Sequence, residues 1–447
     1  MRKIIIIVIF SVLTISCQDL LDPQPVSLLI DNLALNEAKD VPSVRIGLYS
    51  AFRGIASTKV LAGDFTADML QHNGTFSQYR ELGNKQITPS NAAVSSLWGS
   101  LYGSIYVANF ILEKLPNISG ISKEDKDHLL AEAHFVRGYA YFVGLTTFGK
   151  MPLVTSTDIN TNLNIPRSSE NDILDLILGD YNNALQNLPA TSVNPGYLSV
   201  NATKSALSRL LLYYKDYTQA LQFATEVIES NEYTLEPDFY TVVSTDFSSE
   251  AILEVGYSLS DDPGTSGTGL NNLFVGRREI IPSNETVLAL SRDQSGDRFW
   301  NISFDFDNLG GTDNGWSVAK YGTADQNNNN IIIFRLPEMY LIRAECYVEL
   351  GELPLAEADI NTLRSRANAL PLVATGKAQM LEIIEKERLY ELAYEGHRWY
   401  DLKRTGRANQ VMQSFSPNWK DAYLLWPVPE REIQNNPALV GDQNPGY

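Results

Sequence analysis

Arg335–Ala367 reads RLPEMYLIRAECYVELGELPLAEADINTLRSRA, and its apolar spacing decides the fold. Leu341, Ala344, Tyr347 and Val348 fall at i, i+3, i+6 and i+7, which is one face of a helix. Pro337 suits a first helical turn, where its missing N–H costs little. Gly351 then punctuates, and Leu355, Ala358, Ile360 and Leu363 begin a second helical face. Two short helices joined this way cannot bury their apolar faces alone, so the spacing predicts a unit stacked on neighbours of the same kind.

Working outward, Leu381–Gly406 (LEIIEKERLYELAYEGHRWYDLKRTG) interleaves Glu385, Glu387, Arg388, Glu391, Glu395, Arg398, Asp401, Lys403 and Arg404 with Leu389, Leu392, Trp399, Tyr400 and Leu402. Glu387, Glu391 and Glu395 at i, i+4 and i+8 predict three carboxylates on one helix face. Among core aromatics, such charges read as buried pairs that fix helix docking. Upstream, ATKSALSRLLLYYKDYTQALQFATEVIESNEYTLEP is the clearest repeat unit, with small residues at Ala206, Ala220 and Ala224 and aromatics at Tyr213 and Tyr217. Further helices are expected over Asn36–Arg53, Pro89–Leu115, from Ser122 onward, over 169–188 and over 201–230, about four pairs in all. Cys346 is expected to be a small core residue, and Arg137 a buried cation paired with a carboxylate.

Between about 232 and 334, Gly, Asn, Asp and Ser dominate. Ala251–Val255 and Ile331–Ile333 stand out as short β-type runs. SDDPGTSGTGLNN and DFDNLGGTDNGWSVAKYG are expected to be long surface loops, and QNNNN a solvated turn. Residues 60–88 form a second loop-like run that crowds polar and aromatic groups together.

The formal net charge of −18 excludes nucleic acid as a partner, which needs clustered Lys and Arg. Met1-Arg2-Lys3, the apolar run Ile4–Leu13 and Ile15-Ser16-Cys17 compose a secretory leader too short to span a membrane. Residues 1–16 are therefore read as a signal peptide, with cleavage before Cys17 and acylation of its thiol. A plain signal peptide with an incidental cysteine is the alternative. Residues 17–35 follow as a tether, and 36–447 as one globular domain carrying the loop-rich insertion.

RLPEMYLIRAE, ERLYELAYEGHRWYDLKRTG, the helix AEAHFVRGYAYF followed by FGKMPL, and the C-terminal YLLWPVPEREIQNNPALVGDQNPGY together resemble the SusD/RagB family. Those are nutrient-binding outer-membrane lipoproteins of the Bacteroidetes. The resemblance implies a mostly α fold, with tetratricopeptide-like helix pairs in a right-handed stack and ligand pockets built largely from inserted loops. It also implies a lipid anchor at Cys17 in the outer membrane, cell-surface exposure, and non-catalytic capture of an oligosaccharide or polysaccharide. The partner it implies is a SusC-like TonB-dependent transporter that receives the ligand.

Enzymatic motifs are missing: there is no G-x-S-x-G elbow, no phosphate-binding G-x-x-x-x-G-K-[ST] and no H-E-x-x-H. Asp305–Gly310 lacks calcium-loop spacing, Gly264–Gly269 does not join a strand to a helix, and the four histidines show no metal-ligand spacing. No cofactor, metal or catalytic residue is expected. Aromatic rings stack on the C–H faces of sugars while polar side chains bond hydroxyls. On that chemistry Trp300, Trp316 and Tyr321 are the stacking candidates. Asp68, Asn73 and Arg80 are hydrogen-bonding candidates, with His72 and Tyr79 beside them. Phe299 and Trp300 could instead belong to the core, and Trp98 to the core or to a sugar platform. The competing readings are a peptide-binding scaffold built on the repeats and a glycoside hydrolase using paired carboxylates.

Overall fold

A computed structural model describes residues 35–256, 269–291, 295–322, 330–373 and 376–447. The leader, Cys17, the tether up to residue 34, most of SDDPGTSGTGLNN (through residue 268) and most of QNNNN (through residue 329) lie outside the described residues.

Among the described residues, nine helices carry the scaffold: α1 (Val41–Val60), α2 (Ala92–Lys114), α3 (Lys123–Phe148), α4 (Glu170–Asn187), α5 (Val200–Tyr213), α6 (Tyr217–Glu229), α7 (Leu336–Leu350), α8 (Leu353–Arg366) and α9 (Lys377–Glu391). Their starts follow local chemistry. Asn91, Ser122, Ser169, Ser199 and Asp216 each accept a backbone N–H of the first turn, satisfying donors a helix leaves unpaired. Gly351, at φ 92°, closes α7 in the left-handed conformation that glycine adopts without strain. From α2 to α7 each helix packs on its predecessor, α1 packs on α2, and α7 also meets α8 and α9, so the stack follows chain order. Small residues set the close approaches: Ala220 and Ala224 of α6 are fully buried, and Ser208 Oγ of α5 donates to the Ala220 carbonyl at 2.9 Å.

Arg137 is the buried structural cation expected. It clamps Asp180 with bonds of 2.9 and 2.7 Å and also donates to Asn109, joining α2, α3 and α4. Cys346 and Trp98 are core residues, the latter with its ring edge-on to Phe148.

The described strands form three two-stranded antiparallel sheets: β1 (Leu70–His72) with β3 (Ile280–Pro282), β2 (Ala251–Val255) with β6 (Ile331–Arg335), and β4 (Ile302–Gly310) with β5 (Asp313–Val318). The two β-type runs of the sequence thus pair with each other. The β2–β6 sheet lies against the helices, where Phe334 meets Tyr139 edge-on at 6.2 Å.

Three expectations need correction. DFDNLGGTDNGWSV is a β-hairpin, because Ile302 and Val318 pair in the core and propagate register outward. Residues 60–88 are structured by a helical turn at Leu61–Phe65, by β1 and by a short helix at Ser77–Gly83. Glu395 is not on α9, which ends at Glu391. The chain turns there through Tyr394 and Gly396 at φ 64° and 78°, so that Gly396 can press against Gly63.

Candidate functional site

The carboxylate cluster of α9 belongs to a buried ion network. Glu387 pairs with Arg298 and Arg364, Glu391 with Arg335 and Arg366, Glu395 with Lys320 and Arg335, and Glu250 with Arg335 and Arg366. Burial alone would raise the Glu391 carboxyl, yet Arg366, Arg335 and Arg298 hold it at about 2. These carboxylates are buried and paired with cations.

This network fixes the insertion to the scaffold and thereby positions a row of rings. Arg298 anchors the 3-10 turn Gly296–Asn301, and Asn301 donates to the carbonyls of Arg298 and Tyr390 at 2.8 and 2.9 Å. Gly296 is required at the turn's start, since a Cβ there would lie 2.1 Å from the Ala367 carbonyl oxygen. So held, the turn presents Phe299 and Trp300. Trp300 meets Tyr240, from the short helix Phe239–Ser244, at 5.5 Å. Phe299 lies 6.3 Å from Trp300 and 5.6 Å from Trp316. Trp316, opposite Phe304 in the hairpin register, contacts that ring at 4.9 Å, and Phe306 follows at 6.4 Å. The result is a continuous ribbon, Tyr240–Trp300–Phe299–Trp316–Phe304–Phe306. Its rings are far from sealed: Trp300 is 46% exposed, Phe304 45%, Tyr240 55% and Phe306 74%, while Phe299 and Trp316 are partly covered. Exposed aromatic surface in one contiguous row is uncommon away from binding sites.

A polar frame supports the hairpin end. Arg278 clamps Asp313 at 2.6 and 2.5 Å and donates to the Trp316 carbonyl at 2.9 Å. Burial would raise the Asp313 carboxyl, but the Arg278 and Gly315 hydrogen bonds hold it below its usual range. Asn73 donates to Asp313 and to the Arg278 carbonyl, both at 2.9 Å, and accepts from Thr312 at 2.7 Å.

The sequence candidates therefore divide. Trp300 and Trp316 come together in the ribbon through Phe299. Asn73 stands beside them in the frame, with both ends of its amide engaged by protein. Tyr321 is not a platform: it is 2% exposed, one face stacks on Phe274 at 5.7 Å, and its hydroxyl donates to the Tyr394 carbonyl. Its position directly after the hairpin returns it to the core. Asp68 is locked in a two-pronged pair with Arg398, which outweighs burial and keeps its carboxyl low. Tyr79 is buried against Phe65 and Phe76, and burial pushes its hydroxyl up to about 12. His72 is half-buried on β1, with its Nε2 unpartnered and its pKa lowered by burial. Arg80 is exposed on the helix Ser77–Gly83, outside the ring row. Sequence reasoning missed Tyr240, Phe304 and Phe306. The period-two spacing of Phe304 and Phe306 was the available signal, hidden by the polar residues around it.

A cavity of about 1080 Å³ lies elsewhere, between α1 and the 194–197 loop, lined by Arg45, Tyr49, Tyr197 and Phe247 among others. Its lining includes none of the ribbon's rings.

Two family models match the chain. The first, described as SusD family, covers residues 308–447, and the second, described as starch-binding associating with outer membrane, covers 21–212. Two SusD-like proteins of Formosa agariphila are each 26% identical, one aligned over 97% of this chain and 96% of its own, the other over 100% and 99%. Among solved structures, a laminarin-binding SusD-like protein superposes with TM-score 0.80 at 25% identity, over 92% of this chain and all of its own. A SusD-superfamily protein of Bacteroides thetaiotaomicron gives 0.79 at 25% identity, over 91% and 99%.

Proposed function

The chain belongs to the SusD/RagB family, and on that premise we propose that it is a non-catalytic surface protein that captures a nutrient glycan and hands it to a SusC-like TonB-dependent transporter. The observation that carries the capture step is the exposed six-ring ribbon. Rings of this kind offer flat apolar faces to sugar C–H groups, and a rigid row recovers affinity that a mobile site would lose in ordering. The similarity to a laminarin-binding protein supports a glycan rather than a peptide as ligand. Against hydrolysis stands the burial of the Glu387, Glu391 and Glu395 carboxylates, since glycoside cleavage needs two carboxyls flanking an accessible bond.

The leader sequence supports anchoring through Cys17, and the description of the second family model supports a place at the outer membrane. The family resemblance supports transfer to a transporter, and the exposed rings of the ribbon remain open to ligand.

Affinity electrophoresis across a panel of neutral and anionic polysaccharides tests capture. Retardation by at least one glycan, without release of products, is expected. Trp300→Ala and Trp316→Ala should each weaken it by about ten-fold or more, in the range of a buried aromatic anchor. Tyr321→Phe should leave retardation unchanged while lowering stability by about 1 kcal/mol through the lost bond to Tyr394. Undiminished binding in both tryptophan variants would remove the ribbon as the site.

A further inference from the structure

The charges around the ribbon restrict its ligand further, and this step rests on the capture reading above. Asp305 and Asp307 alternate with Phe304 and Phe306 on β4, and both carboxylates are exposed. Asp305 accepts the Asp307 N–H at 3.0 Å and the Asn308 amide at 2.6 Å, which still leaves lone pairs on each carboxylate. No described cation pairs with either. Among the described residues, Arg298 on the ribbon's turn pairs with Glu387, Lys320 just after β5 with Glu395, and Arg278 of the polar frame with Asp313, and all three cations are buried. Arg277, which is partly exposed, pairs with Glu279 and lies over the Phe76 ring.

We infer that the ribbon takes a neutral, hydroxyl-rich glycan and discriminates against sulfated or uronic acid polysaccharides. A neutral sugar stacked on the rings carries no charge for Asp305 and Asp307 to repel. A sulfate or carboxylate meets like charge within a Debye length, where the described cations Arg298, Lys320 and Arg278 are already paired. The chain's net charge of −18 adds to the repulsion at longer range.

The test uses calorimetry with neutral polysaccharides, laminarin among them, and the same backbones after chemical sulfation, at low and high salt. The expected result is binding to a neutral backbone and about ten-fold or weaker binding to its sulfated form at low salt, with the gap narrowing as salt screens the charges. Asp305→Asn combined with Asp307→Asn should recover much of the sulfated binding, so that the gap between the neutral and sulfated forms narrows at low salt. Equal or tighter binding of the sulfated form, still lost in Trp316→Ala, would overturn charge discrimination while leaving capture by the ribbon intact. Glycan binding indifferent to Trp300→Ala and Trp316→Ala, or no glycan bound at all, would overturn both readings together.

Discussion

Glu254 on β2 is a carboxylic acid with little access to water, accepting the Phe247 N–H at 2.8 Å and the Asn330 amide at 3.1 Å. Burial pushes its pKa up from 4.5 to about 7, more than those two hydrogen bonds lower it, and Asp246 and Glu395 add to the rise. A group whose folded pKa exceeds its unfolded value binds more protons when folded. Its stabilising contribution is therefore complete below pH about 4.5 and is lost as pH rises through about 7. The shift corresponds to at most about 3 kcal/mol. Glu254→Gln keeps the shape and removes the titration. The stability advantage of the natural protein over this variant should shrink between pH 4.5 and 7, measured by denaturant unfolding at several pH values. Parallel curves across that window would mean that Glu254 titrates normally in the fold.

At the scale of elements, the hairpin β4–β5 determines where three ribbon rings stand. Gly315 sits at φ 78°, and a Cβ there would come within 2.6 Å of Phe304 Cε2. Gly311, in the hairpin turn at φ 61°, has open space around it. Alanine at either position carries backbone strain of about 1 kcal/mol, but only at 315 must the Phe304 ring move off Trp316. Gly315→Ala should therefore weaken glycan retardation by about ten-fold, with Gly311→Ala near the natural protein and similar thermal stability for both. Equal binding by the two variants would show that the Phe304–Trp316 contact contributes nothing to the ligand. The same hairpin shows why the sequence was readable in some places and opaque in others. Helix starts announce themselves because Asn91, Ser122, Ser169, Ser199 and Asp216 act on their own next turn. The hairpin has no such local mark: its register shifts between Phe304 and Leu309, and the interrupting Asp and Asn read as loop. Trp300 and Trp316 were visible as site candidates from residue type and context. Tyr321 was not separable from them, because its burial depends on Phe274 and Tyr394, which are distant in sequence. Glu395 was misplaced for a similar reason, since the turn at Gly396 answers to Gly63 across the fold.

For the whole molecule, the question is whether the insertion that bears the ribbon could melt away from the helical stack. The largest apolar cluster joins Tyr139, Leu207 and Leu210 of the helices to Ile252, Leu273, Phe274, Ile302, Val318 and Phe334 of the strand region. Across the same boundary, Glu391 of α9 accepts from Arg335 of β6 at 2.7 Å and from Arg366 of α8, while Arg298 and Lys320 reach α9 and its following turn from the insertion. Removing one carboxylate from such a network strands buried guanidinium groups, which costs about 3–5 kcal/mol. Because the network and the core cross the boundary together, that loss should fall on both parts at once. Calorimetry is expected to show a single unfolding transition for the natural protein and again a single transition, at lower temperature, for Glu391→Ala. Ribbon binding below that temperature should persist in the variant, since Arg298, which anchors the ring-bearing turn, keeps its pair with Glu387. Two resolved transitions in the variant, with glycan binding lost at the first, would mean that the insertion is an independently melting unit held only by its charges.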